Sequence, residues 1–213
     1  MFDKIIIKFI KNTLYKEEKI DKEKKEVILY SVNKIIGEIL KLIIIIIISY
    51  IFHILTEFFI VLMITLMYKT FVGGAHAKTD LECLIFSIIY YIAPALLAKY
   101  IVISNIYVYI AIFLIFMKSV YIISKIAPAD TEEVPILCSE TRKKMKIKAF
   151  IVLIFIYCGM LIFFRNDIYI IKLILITLFS INFYTTKIAY RFFRCKYSYE
   201  SEEINKIIDS CRK

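Results

Sequence analysis

The chain has 213 residues, is 61% hydrophobic and carries a formal net charge of +10 at pH 7. A soluble domain is roughly half apolar, and a chain of this length has too little interior to hide several helices that are apolar on every face. The composition therefore excludes an ordinary soluble protein and predicts an all-α, polytopic membrane protein. The positive charge is explained by orientation in the membrane, so we expect no nucleic-acid partner.

Residues 1–38 form the first predicted segment, a basic arm at the cytosolic or interfacial side of the membrane. Its apolar residues repeat with helical spacing from Phe2 to Leu14, whereas Lys4 and Lys8 lie on other faces. This pattern is typical of a basic amphipathic helix on the anionic inner leaflet, or equally of a cytosolic helix packed on the protein. No cleaved signal peptide is expected, because the arm lacks a small-residue cleavage site.

Five nearly uncharged runs follow the arm, and a spanning helix needs about 20 such residues. The first run, Leu42–Tyr68, is longer than one span needs and is interrupted by polar residues between His53 and Glu57. It is therefore either one long tilted helix or two short ones. The other four runs fit one helix each: Leu84–Ala98, Ile101–Met117 with an extension to Ile123, Ala149–Phe164 and Ile168–Thr186.

The distribution of basic residues decides between the two alternatives for the first run. Lys and Arg accumulate on the cytoplasmic side of short loops, and here they cluster at both ends of the chain and between residues 125 and 148. Lys99 and Arg165 stand alone in thin loops, which are predicted to lie outside. Both termini are then cytoplasmic. Since the outer loop at Lys99 puts the segment before it inside, the first run must cross the membrane an even number of times, which gives about six transmembrane segments in all. The first pair is short and turns near Thr56, as two helices or a re-entrant hairpin, and the 69–82 segment faces the cytosol.

We expect one membrane-embedded domain over residues 1–213, since no internal repeat or low-complexity linker divides the chain. It consists of the arm 1–38, a transmembrane core 42–186 and a cytosolic basic tail 187–213. The five cysteines have no CxxC spacing and mostly face a reducing cytosol, so neither a disulfide nor a metal site is expected. No cofactor is implied either. Four cysteines are interpreted as structural: Cys138, Cys158, Cys195 and Cys211.

The stretch FVGGAHAKTDLEC, from Phe71 to Cys83, is the longest early polar break in the apolar sequence. Within it, TDLE fits a capping box, with Thr79 as the N-cap of a helix and Glu82 at its third position. Cys83 then lies in the first turns of a membrane helix, near the positive end of the helix dipole, where a thiolate is favoured. Asp80 and Glu82 oppose that negative charge, so a reactive Cys83 needs a histidine nearby.

His76 is the candidate histidine. In one continuous helix it would lie about 10.5 Å from Cys83 along the axis, which is too far for the hydrogen bond between a nucleophile and its base. Gly73 and Gly74 disfavour a continuous helix, so His76 can fold back over the start of the Cys83 helix. The two glycines would also leave backbone N–H groups open for an oxyanion site. The alternative is that His76 only marks an interfacial turn, as we expect for His53.

Two motifs carry a resemblance to a known family. The first is GGAHA, from Gly73 to Ala77, with a cysteine seven residues after its histidine. The second is IAPADTEEVPI, from Ile126 to Ile136, which is followed by the basic stretch RKKMKIK. The first motif, and an APA-T-x-x-x-PI loop similar to the second, are found in the accessory gene regulator B (AgrB) family of Gram-positive quorum sensing. The chain length and the basic N-terminus agree, so the resemblance covers nearly the whole chain.

The resemblance implies a membrane cysteine endopeptidase, a thiol protease that processes a short signal propeptide at its C-terminal side. At the matching positions His76 is the general base, Cys83 is the nucleophile and Gly74 is the family's glycine two residues before the histidine. Lys69 stands where the family often has a functionally important Arg, and it keeps the charge without the bidentate fork. Cys83 would take the propeptide's acyl group as a thioester. An internal thiol or Ser hydroxyl then displaces Cys83 and closes a cyclic thiolactone or lactone.

The implied partners are an AgrD-like propeptide and membrane lipids, and the oligomeric state is open, a homodimer included. Three other functions remain as alternatives: a membrane transporter or export component, a structural membrane partner, and another membrane thioester enzyme such as a protein acyltransferase. A transporter would line a path with polar residues. Only Glu57, Lys118 and Lys172 intrude into the predicted spans, and they form no evident set. A structural partner needs no His–Cys pair.

Overall fold

The computed structural model describes residues 22–77, 79–131, 135–136 and 138–197. The predicted amphipathic helix from Phe2 to Leu14 and most of the predicted tail lie outside this range. The described part contains no β-strand, which confirms the all-α class. Its helices are α1 (Lys22–Ile51), α2 (Leu55–Val72), α3 (Asp80–Tyr100), α4 (Asn105–Lys125), α5 (Ser139–Phe163), α6 (Ile168–Tyr184) and α7 (Lys187–Phe192).

The chain divides into two compact units, Met1–Ile51 and Phe52–Lys213. Of the first unit the structure describes α1, a helix of 30 residues that begins among Lys and Glu and continues into the isoleucine run without a break. Glu38 and Lys41, one turn apart on α1, form an ion pair of 2.8 Å. The end of the predicted arm and the start of the first apolar run are therefore one helix.

The predicted division of Leu42–Tyr68 into two helical segments is confirmed. Helix α1 ends at Ile51, residues 52–54 are not helical, and α2 begins at Leu55. The interruption lies at His53, which has a φ of 54°, a left-handed conformation that a helix does not contain. The break therefore comes slightly earlier than the predicted turn at Thr56, which already belongs to the first turn of α2.

Within the described residues, four helices are long and apolar enough to cross a membrane: α2, α3, α4 and α5. Helix α6 is equally apolar but has 17 residues, which makes it a shorter apolar helix. By their length and composition these helices support a membrane protein. The prediction of six segments goes beyond them and stays a prediction.

Helix α6 is the centre of the second unit. It contacts α2, α3 and α4 along its length and α7 at its end. Its sequence is mostly apolar, and Leu173, Leu178 and Ile181 are fully buried. Because α2, α3 and α4 pack against α6 and α7 contacts its end, the C-terminal end of α6 at Tyr184 is held in a fixed position.

Polar side chains join the helices inside this apolar bundle. Asn182 on α6 donates its side-chain amide to the Ser119 hydroxyl on α4 at 2.7 Å. The hydroxyls of Thr65 on α2 and Tyr90 on α3 are hydrogen-bonded at 3.1 Å. Thr65 also begins the π-helical turn Thr65–Lys69 that interrupts α2. Hydrogen bonds between buried polar groups in an apolar environment fix the rotation of each helix relative to its neighbour.

The segment after α2 pairs with the loop after α4. The Ala129 N–H donates to the Val72 carbonyl, and the Gly74 N–H donates to the Ala129 carbonyl, both at 2.8 Å. The loop is held in turn by α5 and α7. The Asp130 carboxylate accepts hydrogen bonds from the Ile136 N–H at 2.7 Å and from Arg142 at 2.5 Å. The Tyr190 hydroxyl donates to the Ala129 carbonyl at 2.9 Å.

Gly73 is the residue on which this pairing depends, and the substitution Gly73→Ala tests it. Its φ of 78° and ψ of −156° belong to a region essentially restricted to glycine. A Cβ there would lie 2.3 Å from the Ala129 carbonyl oxygen. The backbone strain alone costs on the order of 1–3 kcal/mol. Thermal unfolding in detergent, followed by circular dichroism, should give a melting temperature lower by about 5 °C or more.

Gly159→Ala is the matched control, because Gly159 lies in α5 and a Cβ there would meet nothing within 4 Å. Alanine is also the better helix former, so this variant should melt at or above the temperature of the unmodified protein. Equal melting temperatures for Gly73→Ala and Gly159→Ala would contradict the role assigned to Gly73.

Candidate active site

The connector between α2 and α3 contains the predicted break. Helix α2 ends at Val72, residues 73–77 are not helical, and α3 begins at Asp80. Thr79 has an extended backbone, and its hydroxyl accepts a hydrogen bond from the Glu82 N–H at 3.2 Å. Thr79 is thus the N-cap and Glu82 the third helical residue, as predicted. The interruption that a pairing of His76 with Cys83 requires is present.

Cys83 lies in the first turn of α3, where its N–H donates to the Thr79 carbonyl at 2.9 Å. Its side chain is half-buried. Helical spacing places Phe86 and Tyr90 on the same face of α3 as Cys83. The Phe86 ring packs against Phe192 in α7 and Phe193 directly after it, and the Tyr90 ring packs against Tyr184 at the end of α6. The face that carries the thiol is therefore turned toward the protein.

His76 lies in the non-helical connector, and its side chain is exposed. The residue before it is anchored, because the Ala75 N–H donates to the Tyr184 carbonyl at 2.8 Å and Ala75 is buried. The backbone that leads into His76 is therefore hydrogen-bonded to the end of α6, while the imidazole lies at the protein surface.

The two glycines do not offer the open N–H groups that the sequence suggested. The Gly73 N–H donates to the Lys69 carbonyl, and the Gly74 N–H donates to the Ala129 carbonyl, both at 2.8 Å. This corrects the expectation of an oxyanion site at the glycines. Gly74 instead permits close packing, since a Cβ on it would lie 3.2 Å from the Tyr184 carbonyl oxygen.

Tyr184 is a site residue that sequence reasoning missed. Its phenol lies close enough to the Cys83 thiol for the two groups to interact electrostatically. Its ring is stacked on Phe193, with centroids 5.4 Å apart, and meets the Tyr90 ring edge-on at 5.2 Å. Tyr184 thus contacts the connector through its carbonyl, at Ala75, and the start of α3 through its side chain, near Cys83.

Lys69 is the second group that the fold brings to this place. Its Nζ lies 4.7 Å from the centroid of the Tyr90 ring and 5.0 Å from that of Tyr184. A cation over two aromatic faces is stabilised by about 0.5–1 kcal/mol or more per ring when it is partly desolvated. The predicted support residue Lys69 therefore places its positive charge beside the tyrosine that lies near Cys83.

Of the other described cysteines, only Cys195 packs against the apolar cluster that Phe86 and Tyr184 also contact. Cys138 is exposed at the N-cap of α5, where hydrogen bonds from the backbone and hydroxyl of Thr141 lower the pKa of its thiol. Cys158 is exposed on α5, and the Cys195 thiol lies 3.7 Å from the Tyr190 carbonyl oxygen. Cys211 is outside the described residues. Over the described ranges, no three His, Cys, Asp or Glu residues are grouped as a metal site would require.

Comparisons with known proteins agree with the two motifs. The family model for accessory gene regulator B matches residues 4–186. An AgrB-like protein 2 of Clostridium perfringens strain 13 is 28% identical over 168 residues, covering 76% of this chain and 78% of its own. An AgrB-like protein of C. perfringens strain SM101 is 29% identical over 165 residues, covering 75% and 77%.

A third relative, an AgrB-like protein of Clostridium acetobutylicum, is 31% identical over 109 residues, which is 51% of this chain and 50% of its own. No solved structure gives a significant match to the chain. Because the family model spans most of the sequence, including both motifs and all helices from α1 to α6, the chain belongs to the accessory gene regulator B family, which is known for processing autoinducing peptides in quorum sensing.

Proposed function

We propose that this protein is a membrane cysteine endopeptidase that cleaves a short signal propeptide at its C-terminal side, with Cys83 as nucleophile and His76 as general base. The observation that carries the proposal is the interrupted connector. Cys83 lies in the first, capped turn of α3, and His76 lies on a separate non-helical segment whose residue Ala75 donates a hydrogen bond to the Tyr184 carbonyl. A continuous helix would have kept the two residues about 10.5 Å apart along its axis.

The first chemical step is acyl transfer to Cys83. His76 removes the thiol proton, and the sulfur forms a bond to the carbonyl carbon of the scissile peptide bond. The carbon–oxygen π electrons move to the oxygen and return when the carbon–nitrogen bond breaks. The His76 imidazolium supplies the proton that the departing amine needs. The C-terminal fragment leaves, and the remaining propeptide is held as a thioester on Cys83.

The second step closes the ring. A thiol or hydroxyl inside the bound peptide attacks the thioester carbonyl, gives its proton to His76 and displaces the Cys83 sulfur. Hydrolysis must be slower than this attack. Intramolecular attack in a well-aligned complex is equivalent to a nucleophile concentration on the order of 10⁵ M or more. The aromatic residues that pack against the Cys83 face of α3 limit the access of water to the half-buried thiol. The product is a cyclic thiolactone or lactone.

Lys69 is proposed to support the substrate electrostatically. Its ammonium lies beside the Tyr184 ring, in the region where negative charge develops during acyl transfer. Lys provides a compact positive charge without the planar fork of Arg, so it suits a single anionic oxygen better than a bidentate carboxylate contact.

We place the site and both termini on the cytoplasmic side of the membrane. Support comes from the basic residues that flank α5 and the chain ends, which the positive-inside rule assigns to the cytoplasm. The partners are then an AgrD-like propeptide and the surrounding lipids, and a homodimer remains an open alternative.

A transporter or export component is the less favoured function. The charged residues inside the apolar helices are engaged with local groups instead of lining a path. The Tyr169 hydroxyl donates to Glu57 at 2.6 Å, and Lys172 donates to the Ile101 carbonyl at 2.8 Å. The Lys118 Nζ lies 4.4 Å from the centroid of the Phe179 ring.

Cys83→Ala should abolish cleavage of a co-expressed tagged propeptide while leaving membrane insertion intact. Cys83→Ser should be severely impaired as well, because a serine hydroxyl provides no ready anion near pH 7. Cys158→Ala and Cys195→Ala are controls that should retain activity. Cleavage is measured as the mobility shift of the tagged propeptide on a gel. Normal cleavage by Cys83→Ala would end the cysteine-peptidase proposal.

His76→Gln tests the base. A base that takes up the thiol proton makes the Cys83 sulfur a better nucleophile toward an alkylating agent. Iodoacetamide should therefore alkylate Cys83 rapidly at pH 7 in a protein whose other four cysteines, Cys138 included, are replaced. In His76→Gln this neutral-pH reactivity should disappear, and cleavage should fall by roughly 10²-fold or more.

Glu82→Gln is the matched control for charge. It removes an anion close to Cys83 and leaves the Thr79 cap, which uses the Glu82 backbone N–H. Alkylation of Cys83 should become faster at pH 7. The same rate-against-pH profile in His76→Gln as in the parent protein would show that the two residues do not meet.

Accessibility of single cysteines tests the orientation. A membrane-impermeant maleimide added to intact cells should label cysteines introduced at Ser104 and Asn166. Cysteines at Ala77, Glu133 and Ser201 should be labelled only after the membrane is permeabilised. Labelling at Ala77 in intact cells would place the connector on the outer side and contradict a cytoplasmic site.

A further inference from the structure

Acyl transfer to a thiol requires a hydrogen-bond donor for the carbonyl oxygen as that oxygen becomes negative. The glycine N–H groups of the connector are already used, by the Lys69 and Ala129 carbonyls. The Cys83 N–H is used as well, by the Thr79 carbonyl. A side chain close to Cys83 can supply the donor in their place.

Tyr184, the last residue of α6, meets this requirement. Its backbone is fixed by the hydrogen bond with Ala75, and its ring is stacked on Phe193 and packed edge-on against Tyr90. The Phe193 ring packs against both Tyr184 and Phe86, and Phe86 lies one turn after Cys83 on α3, so the Tyr184 side chain lies close to the start of α3 that carries the Cys83 thiol. Within the part of the chain that the structure describes, the Tyr184 hydroxyl makes no hydrogen bond. A rigid donor near the nucleophile, still available for a partner, is what a preorganised oxyanion site needs.

Tyr90 provides the contrast. It lies on the other side of Lys69, with its ring centroid 4.7 Å from the ammonium, compared with 5.0 Å for Tyr184. Its hydroxyl, however, is hydrogen-bonded to Thr65 at 3.1 Å and is buried. Of the two tyrosines beside Lys69, only Tyr184 has a hydroxyl that can turn toward a substrate.

We propose that the Tyr184 hydroxyl donates a hydrogen bond to the scissile carbonyl oxygen when Cys83 attacks, and that the Lys69 ammonium beside the ring adds positive potential at that place. The inference rests on the proposed role of Cys83. As the sulfur–carbon bond forms, the carbonyl π electrons move to oxygen, and Tyr184 binds this oxyanion without giving up its proton. Collapse restores the carbonyl and breaks the carbon–nitrogen bond, with His76 protonating the amine.

Two small probes of Cys83 separate this role from others. Alkylation by iodoacetamide displaces iodide and forms no oxyanion. Acylation by p-nitrophenyl acetate passes through a tetrahedral oxyanion and releases p-nitrophenolate, which is measured by its absorbance. Both rates are determined in lipid vesicles on the full chain with Cys83 as the sole cysteine. The same chain with Cys83→Ala provides the background.

Tyr184→Phe keeps the ring, its stacking and the backbone, and removes only the hydroxyl. Its acylation rate should fall by roughly tenfold or more, in line with the loss of one oxyanion donor, while its alkylation rate stays within about twofold. Tyr90→Phe is the matched control. It also removes a hydroxyl beside Lys69, but one that is hydrogen-bonded to Thr65, so any effect of the weakened α2–α3 contact should lower both rates together, whereas loss of an oxyanion donor lowers the acylation rate alone.

Two results would overturn the inference. Unchanged acylation in Tyr184→Phe would show that the hydroxyl does not reach the oxyanion. Parallel loss of both rates would show that Tyr184 acts on the thiol or on the fold instead. These differ from failure of the proposed nucleophile, in which the parent protein would be acylated no faster than the Cys83→Ala background.

Discussion

The close approach of the α2–α3 connector to Ala129 is the constraint on which the rest of the site depends. Because Gly73 has a positive φ and no Cβ, the backbone groups of Val72 and Gly74 can both form hydrogen bonds with Ala129. The chain therefore leaves α2 in a fixed direction and reaches Tyr184 at Ala75, before Thr79 starts α3. Any side chain at residue 73 would push the two backbones apart and release the connector that contains His76.

The loop on the other side of this pairing needs its own support, which comes from a buried ion pair. The Asp130 side chain is 3% exposed and accepts from Arg142 and from the Ile136 N–H. A buried carboxylate is tolerated when it is neutralised and hydrogen-bonded in this way. The two sequence motifs, GGAHA and IAPADT, are consequently parts of one structural piece, although α3 and α4 separate them in the chain. A substitution in either motif would therefore disturb the conformation of the other.

Local sequence predicted the helices and the capped start of α3, because apolar runs and the Thr79 cap act over a few residues. The break in the first apolar run lies at His53, a few residues before the predicted turn at Thr56, because polar residues occur on both sides of His53 and do not mark one position. The glycine N–H groups were misjudged because their partners include Ala129, which is distant in sequence. Tyr184 had no signal of its own among 16 tyrosines. Only the packing of α6 against α3 brings it to Cys83, and such long-range packing is not encoded in any short motif.

The π-helical turn Thr65–Lys69 allows α2 to present different faces to its neighbours before and after the turn. A π turn contains one residue more than an α turn, so every residue after it is rotated by about 100° from the position that an uninterrupted α-helix would give. The part of α2 before the turn can thus keep apolar side chains on the faces that contact the bundle and the lipid. The part after it presents Lys69 to Tyr90 and Tyr184. One additional residue in a membrane helix therefore lets the same helix place apolar side chains toward lipid and the Lys69 charge toward the site.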